Sequence, residues 1–539
     1  MSRNDPLEIP FGLAAAESMP GWRDRLVWPV PYGRLLEATH AQLTAVLVYA
    51  RGLAQSAEHD ERASLGRDAV LLSAHELLAS SRARLQAALA IDAELEAGIR
   101  LAGGPAELDW LAGRIGRLDD VPDARELSAA QRAAARGGGL RRLARAASWS
   151  PLPRLPRAVL APRILAVSHN ALLAAEARRA PIAIGFHHAA GLLAGIRASA
   201  RFDSPAAAPD TMFALEHSFA GALVPDVGLS EPVRRRLAAL VTRSVRPALA
   251  RAVADLAALR SARMPAWALW SGTGGYYPAR ALGLELLRRD GAVTRFDHGG
   301  GGGLIDSAEV IALMEYAVSS RLVVATPAQA ALFRALDPER FLARSVEVSG
   351  GAGDPTFRVK VRPARMRRPR RPRVLYASTA LLGYRQVFPP LLPDLVYLDW
   401  QLRLAEMLAK LQIKLVCKPH PEGILKGRRH PLADLASVTD QPFETALAQA
   451  DVVVWDYGSS TAFWQSLCSD RPVVLVDLGN APRTPAGERL VRARCRVLDA
   501  QYDDRGRPSV DPEALAEAVL GAAGAPDPAP VRALLAGKS

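Results

Sequence analysis

The chain is short of cysteine, of aromatic residues and of long apolar runs, and each shortage rules something out. Three cysteines, Cys417, Cys468 and Cys495, occur in 539 residues, with no C-x-x-C pair and no zinc-ligand spacing. A disulfide framework and a structural zinc site are therefore not expected, and the thiols fit a reducing compartment. Cys417 and Cys468 lie in apolar runs and read as buried thiols. No stretch reaches the ~18 apolar residues that a bilayer-spanning helix needs. The first ten residues carry Asp5 and Glu8 and no apolar core, so no signal peptide is expected. Neither G-x-G-x-x-G nor G-x-x-x-x-G-K-[ST] occurs, which gives no support to a nicotinamide or P-loop site. The expectation is a cytoplasmic protein with access to the inner face of the membrane as a peripheral partner.

What is present is ordinary globular material: 49% hydrophobic and 23% charged residues. The length exceeds one core and suggests about three units. Net charge is +13 with a pI near 10.1. That balance favours polyanions, anionic lipid surfaces or phosphorylated substrates, without choosing among them. Arginine supplies most of the charge, and abundant Ala, Leu and Arg also fit a coding bias.

Residues 1–150 read as a helical accessory region. Leu36, Leu43, Val46, Leu47 and Ala50 share one helical face, and Val70, Leu71, Leu77, Leu78, Leu85 and Leu89 form a second stripe. Helix is expected from 34 to about 136. His40 and His75 there read as packed or surface residues. Gly137-Gly138-Gly139 and the Arg/Pro stretch to Pro162 read as a linker. Alternating strands and helices then predict a Rossmann-like domain over 151–358 and a second over 359–539. Residues 203–212 read as loop. The fold class expected is α/β, with two doubly wound domains and a cleft between them, a preferred ligand position.

Arg362, Arg365, Arg367, Arg368, Arg370, Arg371 and Arg373 crowd the boundary between the two domains. They read as a solvated linker or as a contact for anionic lipid headgroups or a phosphorylated acceptor, each charge near a membrane being worth ~1 kcal/mol.

Four strand ends carry chemistry. Val452–Trp455 runs into Asp456-Tyr457-Gly458-Ser459-Ser460-Thr461, where hydroxyls open a helix and suit either a cap or a phosphate. Leu415-Val416-Cys417 runs into Lys418-Pro419-His420-Pro421, whose two prolines stiffen the loop around an imidazole. The two ends are expected on consecutive strands. Phe296 leads into Asp297-His298 and five glycines, Gly299 to Gly303. Because each glycine carries an entropic cost, this run is expected to serve close backbone approach to a ligand or mobility rather than packing. His298 is then a candidate general base, with Asp297 orienting it or acting instead. Ser271-Gly272-Thr273-Gly274-Gly275 opens another helix, and reads equally as a tight connection or a substrate loop.

Taken in order, Val374–Thr379, His420-Pro421, Ala450–Ser460 and Asp470–Leu475 resemble the C-terminal domain of GT-B-fold transferases that build bacterial surface polymers. That group includes CDP-glycerol glycerophosphotransferases and CMP-sialic acid and CMP-Kdo glycosyltransferases. The resemblance covers about 264–480, with Val346–Asp354 similar to the interdomain connector and His298-Gly299 to an N-domain His-Gly site. It implies that Lys418, His420, Ser459, Ser460, Thr461, Ser378 and Arg385 hold the nucleotide phosphates. It implies that His298 or Asp297 deprotonates the acceptor, near Gly272, Thr273, Gly274, Gly299 and Gly300. It implies no metal and no cofactor, a nucleotide-sugar donor and a glycan or lipid-linked acceptor. Glycerophosphotransferases usually carry an aromatic or Gln before His-Gly and Thr-Pro-Leu-Lys after it. Asp297 and the glycines depart from that pattern and shift the expectation to a CMP-activated sugar acid or another nucleotide sugar. Two other readings stand beside it. A nucleotide-sugar epimerase would turn over its substrate without an acceptor. A non-catalytic polyanion binder would show salt-dependent binding. Nucleic acid is not the favoured partner.

Overall fold

In a computed structural model of the chain, the described residues are 6–56, 61–122, 158, 162–199, 209–272, 275–342, 344–359, 371–521 and 526–537. Two six-stranded, wholly parallel sheets organise it. A short parallel pair, β1 (Leu7–Pro10) and β2 (Ile99–Ala102), lies outside them. The first sheet holds β3 (Ile164–Ala166), β4 (Ile184–Phe186), β5 (Ala268–Ser271), β6 (Ala292–Phe296), β7 (Arg321–Val324) and β8 (Glu347–Gly350), in the order β4-β3-β5-β6-β7-β8. The second holds β9 (Arg373–Ala377), β10 (Lys414–Lys418), β11 (Ser437–Val438), β12 (Val452–Trp455), β13 (Val473–Asp477) and β14 (Arg496–Asp499), in the order β11-β10-β9-β12-β13-β14. Helices flank both sheets, so these are two Rossmann-like, doubly wound units in a GT-B-like arrangement.

The strands are readable because both faces of a parallel sheet are covered. Val452, Val453, Val454 and Trp455 are all buried, as are Val473 to Val476. The short apolar run is the direct imprint of that burial.

The N-terminal region is helical over Tyr32–Ser56 and Glu61–Asp92, and the second of these helices packs along Glu231–Ser261 of the first domain. The expected stripes are largely inside: Leu43, Val46, Leu47, Val70, Leu77, Leu78, Leu85 and Leu89 are buried, and Leu36 and Leu71 are half-buried. Helix does not run on to 136. Gly98, at φ +63, ends it, and Ile99 and Leu101 turn inward with Arg100 outward, the period of a strand. Residues 209–212, expected as loop, begin the helix Pro209–Leu223. The expected glycine linker and the arginines from Arg362 to Arg370 lie outside the described residues; Arg371 is exposed and Arg373 starts β9.

Two straps join the units. Near the N-terminus, Arg23 pairs with Asp399 (3.1 Å) and Glu406 (2.7 Å) of the second domain. The Gln386 N–H donates to Ala79 O at 3.0 Å. At the C-terminus, the helix Ala529–Leu535 reaches back to the first domain: Thr326 Oγ1 donates to Leu534 O at 2.7 Å, and the Asp354 N–H donates to Leu535 O at 2.9 Å. Among the described residues no helix is long and apolar enough to cross a membrane, and no group of three or more His, Cys, Asp or Glu is placed to hold a metal ion.

Candidate functional site

The strand order changes one expectation. β10 and β12 are not neighbours, because β9 lies between them. The direction in which successive strands are added reverses between β9 and β12, since β10 and β11 extend one side and β13 and β14 the other. Open α/β sheets bind ligands at the carboxyl ends of the strands at such a reversal. Ser378, after β9, and the Asp456–Ser460 turn, after β12, form its two walls, and Lys418 ends the adjoining β10.

A buried carboxylate ties those walls together. Asp456 accepts from Tyr376 Oη (2.6 Å), Tyr397 Oη (2.7 Å) and Trp400 Nε1 (3.2 Å). Tyr397 Oη in turn accepts the Thr379 N–H at 2.9 Å. Burial pushes the Asp456 carboxyl up to about 6, with the three donors opposing. Asp456 therefore faces inward and is not the helix cap. Ser460 is: its Oγ accepts the Ala462 N–H at 3.2 Å.

Ser378 is buried, and its hydroxyl has no hydrogen-bond partner among the described residues. A buried unpaired hydroxyl costs about 1–3 kcal/mol and calls for an explanation; a ligand oxygen at the crevice supplies one. Lys418 is buried to 9% exposure without an ion pair, and burial lowers its pKa, with Asp440 and Glu444 opposing. His420 is exposed, and its Nδ1 accepts the Glu422 N–H at 3.1 Å. Burial of the ring pushes its pKa down, with that contact opposing. The neutral ring then carries its proton on Nε2, a donor suited to a phosphate oxygen. Ser459, Ser460 and Thr461 are half-exposed at the turn. Arg385 is exposed on the loop whose next residue, Gln386, packs against the N-terminal helix through Gln86 (2.8 Å). A cavity of about 420 Å³ opens one helical turn from Thr461, lined by Pro355, Thr356, Arg358, Val359, Glu444 and Gln465, within the size range of ligand pockets.

The glycine run faces this crevice but does not have the expected purpose. A Cβ on Gly300 would lie 2.5 Å from the Phe357 ring, on Gly301 2.9 Å from Trp464 Nε1, on Gly302 2.1 Å from the Phe333 ring and on Gly303 2.7 Å from Leu332 Cβ. Four of the five glycines thus admit the protein's own side chains: they serve packing, contrary to the sequence expectation. Gly299, at φ +106, is the open one, and its Cβ position lies 3.5 Å from Thr461 Oγ1. The loop is also pinned to the second domain. Thr484 N–H donates to Leu304 O (2.9 Å) and Asp306 N–H to Pro482 O (2.9 Å), while Ile305 and Arg483 form an antiparallel bridge.

His298 is exposed at the head of this loop. Desolvation holds Asp297 well above the usual carboxylate range, reinforced by Glu315 and Asp354 and opposed by the His298 N–H and Gln329. Asp354, from the connector after β8, is also raised by burial; the Thr356 contacts, His298 and Arg358 oppose. His298 thus contributes to the field felt by Asp354, which lies 56 positions further along the chain.

The first sheet has its own reversal, between β3 and β5, and the residues there escaped sequence reading. Ser168 Oγ lies 3.0 Å from Ser271 Oγ and accepts the Gly272 N–H at 2.7 Å. Asn170 Nδ2 donates to Gly272 O (2.9 Å), Phe296 O (2.9 Å) and Asp297 O (3.1 Å), so one amide, itself just past β3, ties the ends of β5 and β6 to it. The signal was available: Ser168-His169-Asn170 directly follows a strand. Gly272 is packed against Asn170; Thr273 and Gly274 lie outside the described residues.

A scan against protein-family models finds no match, and no curated protein matches the chain. Among solved structures the chain is similar to the crystal structure of Acinetobacter baumannii MurG, at 13% identity and a TM-score of 0.27. That match covers 47% of this chain and 63% of the other, and a likeness of this size speaks to no substrate.

Proposed function

We propose that the chain is a GT-B-type glycosyltransferase that moves a sugar from a nucleotide-activated donor, CMP-linked by preference, to a hydroxyl of a surface-polysaccharide or glycoconjugate acceptor. The observation that carries this reading is the opposition of two strand-end motifs, with Gly299 beside His298 lying against Thr461 of the donor turn. In this reading Ser378, Lys418, His420, Ser459 and Ser460 hold the nucleotide phosphates. The acceptor oxygen attacks the anomeric carbon as its proton passes to His298, whose charge Asp354 offsets. The bond from the anomeric carbon to the phosphate oxygen breaks, and its electron pair leaves on the nucleotide. Lys418 and the hydroxyl donors stabilise that charge where it develops. A peripheral position at the inner face of the membrane, reached through the arginines between the domains, belongs to the same proposal.

Calorimetry of the full chain with CMP, CDP and UDP tests it. Wild type is expected to bind at least one of them, and the Ser459→Ala/Ser460→Ala pair to bind it at least ~10-fold more weakly. His298→Ala should leave that affinity unchanged while removing about 10²–10⁴ of the transfer rate, the usual share of a general base. Absence of binding by any nucleotide would sink the reading. Turnover of a nucleotide sugar with no acceptor would replace it by an epimerase.

A further inference from the structure

The family resemblance implies Lys418 and Arg385 as the positive charges of the donor site, and Arg385 is exposed on a loop packed against the N-terminal helices. A different arginine stands at the crevice. Arg483 follows β13, the strand beside β12, and its side chain is only 5% exposed. Two of its nitrogens are fixed: Nη2 pairs with Asp477 and Nε with Glu488. The third, Nη1, is buried and has no hydrogen-bond partner among the described residues. It lies 3.5 Å from where a Cβ would stand on Gly458, in the middle of the donor turn.

Three physical points converge. A guanidinium held by two carboxylates is pre-organised, so little rotamer freedom is lost when its remaining edge takes a ligand. Buried charged donors are rarely left unpaired, because the desolvation penalty goes unrelieved. Glu488 is shared with Arg492, which also pairs with Asp499, so the linked groups carry two positive and three negative charges, and it is the open Nη1 edge of Arg483, not the net charge, that an arriving anion would meet. The Asn480 amide nitrogen, on the same loop, is likewise buried without a partner.

We infer that Arg483 is the guanidinium of the donor site, giving Nη1 to a phosphate oxygen of the bound nucleotide. This rests on the proposed nucleotide reading and adds a residue to it. Because Arg483 also bridges to Ile305 of the glycine loop, phosphate binding and the placement of His298 share one residue.

The test compares CMP, cytidine and inorganic pyrophosphate as probes of the full chain, in wild type, Arg483→Gln and Arg483→Lys. Arg483→Gln is expected to weaken CMP and pyrophosphate at least ~10-fold and to leave cytidine within about 2-fold. Arg483→Lys, which keeps the charge without the fork, should recover only part. A purely structural role would weaken all three probes alike, and that result, or unchanged CMP affinity in Arg483→Gln, overturns the inference. If Gln fails to fold, the Lys variant carries the same comparison. Pyrophosphate binding that depends on Arg483 while CMP and cytidine do not bind would remove the nucleotide reading and keep the anion site.

Discussion

Replacing Asp456 tests whether the donor crevice is held together by a buried carboxylate. Asp456→Ala removes the acceptor of three buried donors. Tyr397 can turn its hydroxyl to Gln401, whose side-chain oxygen is buried without a partner. The Trp400 N–H and the Tyr376 hydroxyl lose the side-chain acceptor they share among the described residues. At about 1–3 kcal/mol for each stranded donor, the loss is about 2–6 kcal/mol. The sign of its pH dependence follows from the raised carboxyl, up from 3.8 to about 6 in the fold. The protonated form is favoured by the native state. The stabilisation is fully present below the unfolded pKa and is lost as pH rises through about 6. Integrated from pH 5 to pH 8, wild type loses about 1.4 kcal/mol that the variant never had. The deficit of Asp456→Ala should therefore be about 1.4 kcal/mol smaller at pH 8 than at pH 5. Urea unfolding at both pH values, followed by tryptophan fluorescence, measures it; Trp400, Trp455 and Trp464 all lie in the second domain. Equal deficits, or a larger one at pH 8, would refute the reasoning. Asp456→Asn should be milder, since its amide can face Tyr397 and keep an oxygen for Tyr376 and Trp400.

Gly302→Ala and Gly300→Ala place methyl groups 2.1 Å and 2.5 Å from the rings of Phe333 and Phe357. Each should destabilise by about 1–3 kcal/mol or more; unchanged thermal unfolding of both would disprove the packing role of the run. Arg23→Ala should cost no more than about 1 kcal/mol, because the arginine is partly exposed and Asp399 keeps Arg403 at 2.8 Å. Arg23→Ala/Arg403→Ala leaves Asp399 buried and alone and should cost about 3–5 kcal/mol, a non-additive loss that a double-mutant cycle reads. Burial pushes each of the thiols of Cys417, Cys468 and Cys495 up to about 12, so the native chain should resist thiol reagents at pH 8 and expose three equivalents when denatured. Rapid labelling of any one in the native state would contradict the packing described.

Much of the fold could be read from the chain because parallel strands imprint themselves as short apolar runs. Val452–Trp455 and Phe443–Gln449 have the expected bounds. Strand order left no such imprint. His420 and Ser459 lie on strands that follow one another among the strong apolar runs, yet β9 separates them in space. The two-residue β11 and the pair β1–β2 were too short or too weakly patterned to register. At the candidate site, sequence singled out residues at or just past strand ends, such as Lys418 and His298. It missed those brought in by topology: Asp354 in the field of His298, Asn170 tying the ends of β5 and β6, and Arg483, six residues past the end of β13.

The glycine run shows why local reading fails in a specific way. Its entropic cost is real, but what offsets it lies elsewhere in the chain: Phe333, Phe357 and Trp464, none within 25 positions of the run. Of those rings Trp464 belongs to the second domain, where Leu304 and Asp306 also hydrogen-bond to Thr484 and Pro482. The backbone after His298 is therefore held by the domain that carries the donor turn, although His298 belongs by sequence to the other sheet. Two rigid bodies hinged only at the connector would leave His298 and the Asp456–Thr461 turn free to separate. Here the same short segment, 482–487, holds the glycine loop on one side and presents Arg483 to Gly458 on the other. Any motion that opens the donor turn must displace that segment or break the Ile305–Arg483 bridge. The placement of His298 is thus coupled to the donor crevice through the second domain rather than through the linker between the two.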